Sequence, residues 1–132
     1  MSRLLRLWLP VIVYMAGIFY VSSLPDLSLP EPVAVSGHSA AYFGLAVLLV
    51  RALAGGLPRR IGARVAVMAM VIAVAYGVSD EVHQSYVPGR VADAYDVGTD
   101  AIGALAGTIA CWAWGILSSR SGSRRGPSRD EL

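Results

Sequence analysis

The chain has 132 residues, of which 55% are apolar and only 15% charged; its net charge is +2 and its mean hydropathy +0.57. A soluble domain carries about a quarter charged residues, so the composition excludes a solvated globule. It also excludes a disordered chain, which needs low hydrophobicity and high charge, and the single cysteine excludes an internal disulfide.

The length holds at most about four membrane crossings of roughly 20 residues each. Leu7 to Val21 is apolar apart from Pro10 and reaches back past Arg6 to Leu4, which predicts a helix over 4–21. Ser22 to Gly37 carries Pro25, Pro30 and Pro32 and reads as a turn-rich loop. Ala40 to Val50, continued by Leu53, predicts a helix over 38–54. Gly55 to Arg64 is a tight basic loop, and Val65 to Val78 predicts a helix over 62–79. Ser79 to Asp100 is the longest and most charged connection, with a turn at Val87-Pro88-Gly89-Arg90. Ala101 to Leu117, interrupted only by Thr108, predicts a helix over 99–117. None of these runs shows the polar stripe of a water-soluble helix. The expectation is an all-α, four-helix transmembrane domain over 1–117, followed by a disordered basic cytoplasmic tail over 118–132.

The arginines orient the bundle, since positive charge gathers on the cytoplasmic side. All eleven basic residues are Arg, and ten of them flank one set of helix ends: Arg3, Arg6, Arg51, Arg59, Arg60, Arg64, Arg120, Arg124, Arg125 and Arg129. The other set holds Asp26, Glu31, Asp80, Glu81, Asp93, Asp96 and Asp100, with Arg90 alone among them. Both termini are therefore expected in the cytoplasm of a multi-pass plasma-membrane protein. Tyr20, Tyr42 and Tyr76 fall toward the outer interface, and Trp8, Trp112 and Trp114 toward the inner one. The first run lacks a clean cleavage site and reads as an anchor rather than a signal peptide. The closing Arg129-Asp130-Glu131-Leu132 is close to a lumenal retrieval signal, but the charge rule puts it on the cytoplasmic side.

This topology gathers the remaining polar residues at the outer helix ends: Ser22, Ser23, His38, Asp80, Glu81, His83, Gln84, Arg90, Asp93, Asp96 and Asp100. Ionisable groups near the hydrocarbon are costly, so such a cluster is a functional candidate. Asp80, His83 and Gln84 share one helical face if the third helix continues that far. Asp80 and Glu81 at a helix C-terminus want a cation, and Arg90 is the natural partner. Asp100 is followed by Gly103 and Gly107, whose spacing permits close helix packing.

The string Asp80-Glu81-Val82-His83-Gln84-Ser85-Tyr86-Val87-Pro88-Gly89-Arg90, then Asp93, Asp96, Gly103 and Gly107, resembles the VanZ-like family of small bacterial membrane proteins. Tyr20-Val21-Ser22-Ser23-Leu24-Pro25 and His38 with Tyr42-Phe43-Gly44-Leu45-Ala46 resemble that family's other two patches, so the resemblance covers most of residues 14–110. Val35 stands where members often carry Lys, and Asp100 where they often carry Asn. The namesake is associated with low-level resistance to the glycopeptide teicoplanin, which implies a setting in the cell envelope but no reaction. Ser36-Gly37-His38 and the Arg90, Asp96, Asp100 spacing also resemble two patches of the type 2 phosphatidic acid phosphatases. Asp96 stands where that superfamily has its nucleophilic His, and its Lys-x6-Arg-Pro patch is missing.

Three functions stay open. His38, Asp80, Glu81, Gln84, Arg90 and Asp96, supported by Ser22, Ser23, His83, Asp93 and Asp100, would bind an envelope lipid or peptidoglycan-related ligand, with Arg90 meeting its phosphate or carboxylate. The same carboxylates would serve an enzyme acting on lipid phosphate. A structural or partner subunit would use them only as an ion-pair network. No metal, cofactor or nucleic acid is expected, and the catalytic residues and oligomeric state stay open.

Overall fold

The computed structural model describes residues 2–25, 31–56 and 60–123. Expectations placed on Asp26, Arg59 and the 124–132 tail lie outside them. The described residues form four helices and no strand: α1 (Arg3–Ser22), α2 (Glu31–Leu53), α3 (Ala63–Gln84) and α4 (Ala94–Ser123). Each is long and apolar enough to cross a membrane. Antiparallel connections put the ends of α1 and α3 beside the starts of α2 and α4. We call this the acidic end and its opposite the arginine end.

α2 and α3 form the centre. α4 lies against both, most closely against α2, and α1 packs on their other side. The core is Leu7, Val11, Tyr42, Leu45, Ala46, Leu49, Val50, Ala52, Ala69, Ala73, Ala104 and Cys111. Small residues set the α2–α4 distance. A Cβ on Gly103 would overlap the Ser39 carbonyl, and one on Gly107 would lie 2.5 Å from the Phe43 carbonyl oxygen. The apolar surface left over is large and includes Ile12, Val13, Phe19, Val67, Val71, Ile102, Ile109 and Trp114. It suits contact with lipid.

Four helix boundaries depart from the sequence expectation, each for a local reason. α2 starts at Glu31 rather than 38, because Pro32 falls in the first turn, where its missing N–H costs no bond. α3 runs to Gln84 rather than 79, and α4 starts at Ala94 rather than 99. The Asp93 carboxylate accepts from the Tyr95 N–H at 2.9 Å and caps the start of α4, while the Asp93 N–H donates to Glu81 Oε2 at 3.0 Å. The connection shrinks to residues 85–93, and of the acids in the expected loop Asp80, Glu81, Asp96 and Asp100 stand on helices while Asp93 stays in the connection. α4 also continues to Ser123, so residues 118–123 are helical. Extending a formed helix gains a hydrogen bond per residue, and no proline interrupts it before Pro127.

Two arginines at the other end, Arg51 and Arg3, bind backbone. Pro10 cannot donate to the Arg6 carbonyl, and Arg51 Nη1 reaches that oxygen instead, at 3.5 Å. α2 ends with Gly55 at φ +73°, Gly55 N–H bonded to Ala52 and Gly56 N–H to Arg51, a Schellman termination. Arg3 Nη2 then donates to the Gly55 carbonyl at 2.8 Å.

Candidate functional site

The acidic end is built from two linked networks. The first joins α1 to α3. Ser22 donates its hydroxyl to Asp80 Oδ1 at 2.6 Å, and Gln84 donates its amide to Asp80 Oδ2 at 3.0 Å. Asp80 and Gln84 meet because α3 persists and carries positions i and i+4 on one face. Ser23 and His83 Nε2 are hydrogen-bonded at 2.9 Å, and Phe19 stacks on the His83 ring at 4.2 Å between centroids.

Arg90 closes this network in an unexpected way. Val87-Pro88-Gly89-Arg90 is a type II turn, with Gly89 at φ +82° and Arg90 N–H bonded to the Val87 carbonyl at 3.1 Å. The turn aims the guanidinium at the end of α1. Arg90 donates to the Leu24 and Val21 carbonyls at 3.2 and 3.4 Å and to Gln84 Oε1 at 3.3 Å. It forms no ion pair with Asp80 or Glu81. The expectation that it neutralises them is corrected: the Val21 carbonyl in the last turn of α1 and the Leu24 carbonyl just past it compete for Arg90, and Asp80 is satisfied by neutral donors.

The second network joins α2, α3 and α4. His38 Nδ1 contacts Asp100 Oδ1 at 3.2 Å, the one ion-pair contact among the described residues, and the ring's Nε2 faces away from it. Ser39 donates to the Thr99 carbonyl at 3.1 Å and fixes α2 on α4 at this level. Glu81 lies within electrostatic reach of His38, Asp96 and Asp100.

Three buried polar atoms here have no hydrogen-bond partner among the described residues: Glu81 Oε1, Asp100 Oδ2 and the Tyr42 hydroxyl. Asp100 is 1% exposed, Glu81 6% and Tyr42 1%. A Cβ on Gly77 would stand 3.1 Å from Asp100 Oδ2 and 3.4 Å from the Tyr42 ring, so the glycine leaves the carboxylate room. An unpaired buried polar group costs about 1–3 kcal/mol, more if charged, so three in one region call for a reason. No group of three or more His, Cys, Asp and Glu side chains among the described residues has the geometry to hold a metal ion.

The family model described as VanZ/LLP1 matches residues 7–117. The chain belongs to the VanZ/LLP1 family. The match takes in all four helical runs and the whole acidic end, and it agrees with a multi-pass membrane protein. No curated protein and no solved structure matches this VanZ/LLP1 chain.

The structure divides the sequence candidates of this VanZ/LLP1 protein by what they touch. Ser22, Ser23, Asp80, His83, Gln84 and Arg90 hold α1 to α3. His38, Glu81 and Asp100 gather beside α4, with Asp96 in range. Asp93 serves as a helix cap. Sequence reasoning missed Tyr42 and Gly77. Tyr42 and Tyr76 were assigned to an interfacial belt, yet Tyr42 is fully buried and Tyr76 donates to the Met15 carbonyl at 2.6 Å. The available signal was spacing: Tyr42 lies four residues after His38, and Gly77 four before Glu81.

Proposed function

We propose that this VanZ/LLP1 protein binds an envelope lipid or peptidoglycan-related ligand at the acidic end of its bundle, in the bacterial plasma membrane and with that end outward. The observation that carries the reading is the group of unpartnered buried polar atoms on Glu81, Asp100 and Tyr42. A structural network satisfies its members, as the Ser22–Asp80–Gln84 network does. These three atoms hold unused bonding capacity, which a ligand would use. A role in glycopeptide resistance is part of this proposal.

The test is co-purification of lipid with the full chain in polymer-bounded native nanodiscs, read by mass spectrometry. Wild type is expected to enrich one envelope lipid that Glu81→Gln and Asp100→Asn release. Identical lipid profiles would refute the reading. The resistance link is read by glycopeptide susceptibility of cells carrying wild type or Asp100→Asn at matched expression, with a difference expected.

One observation favours a second reading, a membrane-embedded enzyme. An aspartate on Nδ1 of a histidine, with Nε2 facing away, is the arrangement that orients a general base, as His38 and Asp100 show. Phosphate as the substrate fits less well. Arg90 is turned to backbone carbonyls, and a phosphate oxygen about 4 Å from a carboxylate is repelled by about 4 kcal/mol at an effective dielectric of 20. Turnover of a lipid phosphate that is lost in Asp96→Asn would favour this reading over binding alone.

A further inference from the structure

We infer that the acidic end is a receptor for a protonated primary amine, whose N–H groups are accepted by Glu81 Oε1, Asp100 Oδ2 and the Tyr42 hydroxyl oxygen. The inference rests on the ligand-binding reading above and names the chemistry of its ligand. It starts from what the unpartnered atoms are. Two are carboxylate oxygens and only accept; the third is a phenol oxygen that also accepts. An ammonium brings three donors on one compact atom, which matches three acceptors, whereas a guanidinium spreads five donors over a rigid plane.

Charge points the same way. Among the described residues, Asp80, Glu81, Asp96 and Asp100 share the acidic end with three basic side chains, Arg90, His38 and His83, and all three are engaged. Arg90 is bound to the Val21 and Leu24 carbonyls, His83 to Ser23, and His38 already meets Asp100 through its other oxygen. An anionic headgroup would have to displace one of these contacts, while a cation adds to them. Asp96 and Glu81 stand one helical turn nearer the end of the bundle than Asp100 and Gly77, so negative charge extends from Asp100 toward the interface. Gly77 leaves Asp100 Oδ2 uncovered by a side chain of its own.

The experiment uses the full chain in detergent, with retained ligand counted by native mass spectrometry. The probes are phosphatidylethanolamine, its N-acetylated form, phosphatidylglycerol and free ethylamine. Phosphatidylethanolamine is expected to be retained about tenfold over its N-acetylated form, which lacks only the amine charge. Glu81→Gln is expected to lose about tenfold of that retention, and Tyr42→Phe several-fold with a melting temperature that does not fall. Ethylamine that binds without the lipid, and is lost in Glu81→Gln, supports the amine site with a soluble source. Equal retention of the N-acetylated lipid overturns the proposal. Retention of phosphatidylglycerol that falls in Glu81→Gln also overturns it, yet leaves the envelope-ligand reading standing. Retention of no probe in a folded wild type overturns both.

Discussion

At Tyr42 the hydroxyl is buried and bonded to nothing in the described protein, whereas at Ser22 the hydroxyl carries a 2.6 Å bond to a buried carboxylate. The two residues therefore respond differently to losing an oxygen. Ser22→Ala is expected to cost about 1.5–3 kcal/mol, because it strips a donor from Asp80. Tyr42→Phe is expected to be neutral or to stabilise by up to about 1–3 kcal/mol when no ligand is bound, since it loses no protein hydrogen bond and removes an unpaired buried hydroxyl. Thermal unfolding in one detergent checks both, and a large loss at Tyr42 would show a partner inside the protein. Residue types at this scale were legible in the sequence, and pairings were not. His38 and Asp100 were both named as candidates, but they are 62 residues apart and only the fold shows their contact. Charge alone points Arg90 to carboxylates, and the Val21 and Leu24 carbonyls at the end of α1 outweigh that choice.

Glycines mark the contrast between elements. Gly103 lies against the Ser39 carbonyl, while nothing stands within 4 Å of a Cβ on Gly17. Gly103→Ala is expected to separate α2 from α4 and cost about 1–3 kcal/mol, whereas Gly17→Ala is expected to be neutral or to stabilise by up to about 1 kcal/mol. Unfolding of the two variants side by side tests whether the α2–α4 contact sets stability. α1 is held at the acidic end by polar contacts, among them the two Arg90 bonds to the Val21 and Leu24 carbonyls. Arg90→Ala is expected to speed amide hydrogen exchange in the last turn of α1 and leave α2 and α4 unchanged. Unaltered exchange there would remove Arg90 from that role. The cores of all four helices were readable as apolar runs. Their ends were not, since capping by Asp93 and the Asp80–Gln84 pair extend helices into segments whose polarity reads as loop.

For the whole molecule the testable claim is direction across the membrane. Ten of eleven arginines flank one end, which puts both termini inside if the positive-inside rule holds. Tyr86 is 80% exposed at the acidic end, and the single Cys111 is buried, so Tyr86→Cys gives a clean reporter. A membrane-impermeant maleimide is expected to label it in intact cells; labelling only after lysis would invert the topology. The sequence by itself determined the four apolar crossings, their all-helical class and the sorting of charge between two poles, because hydrocarbon thickness and backbone hydrogen bonding impose those on any chain of this composition. Only the tertiary structure decided which polar groups are satisfied and which are left open. That depends on side chains from helices far apart in sequence meeting at one level, and it is there that Glu81, Asp100 and Tyr42 keep unpaired atoms.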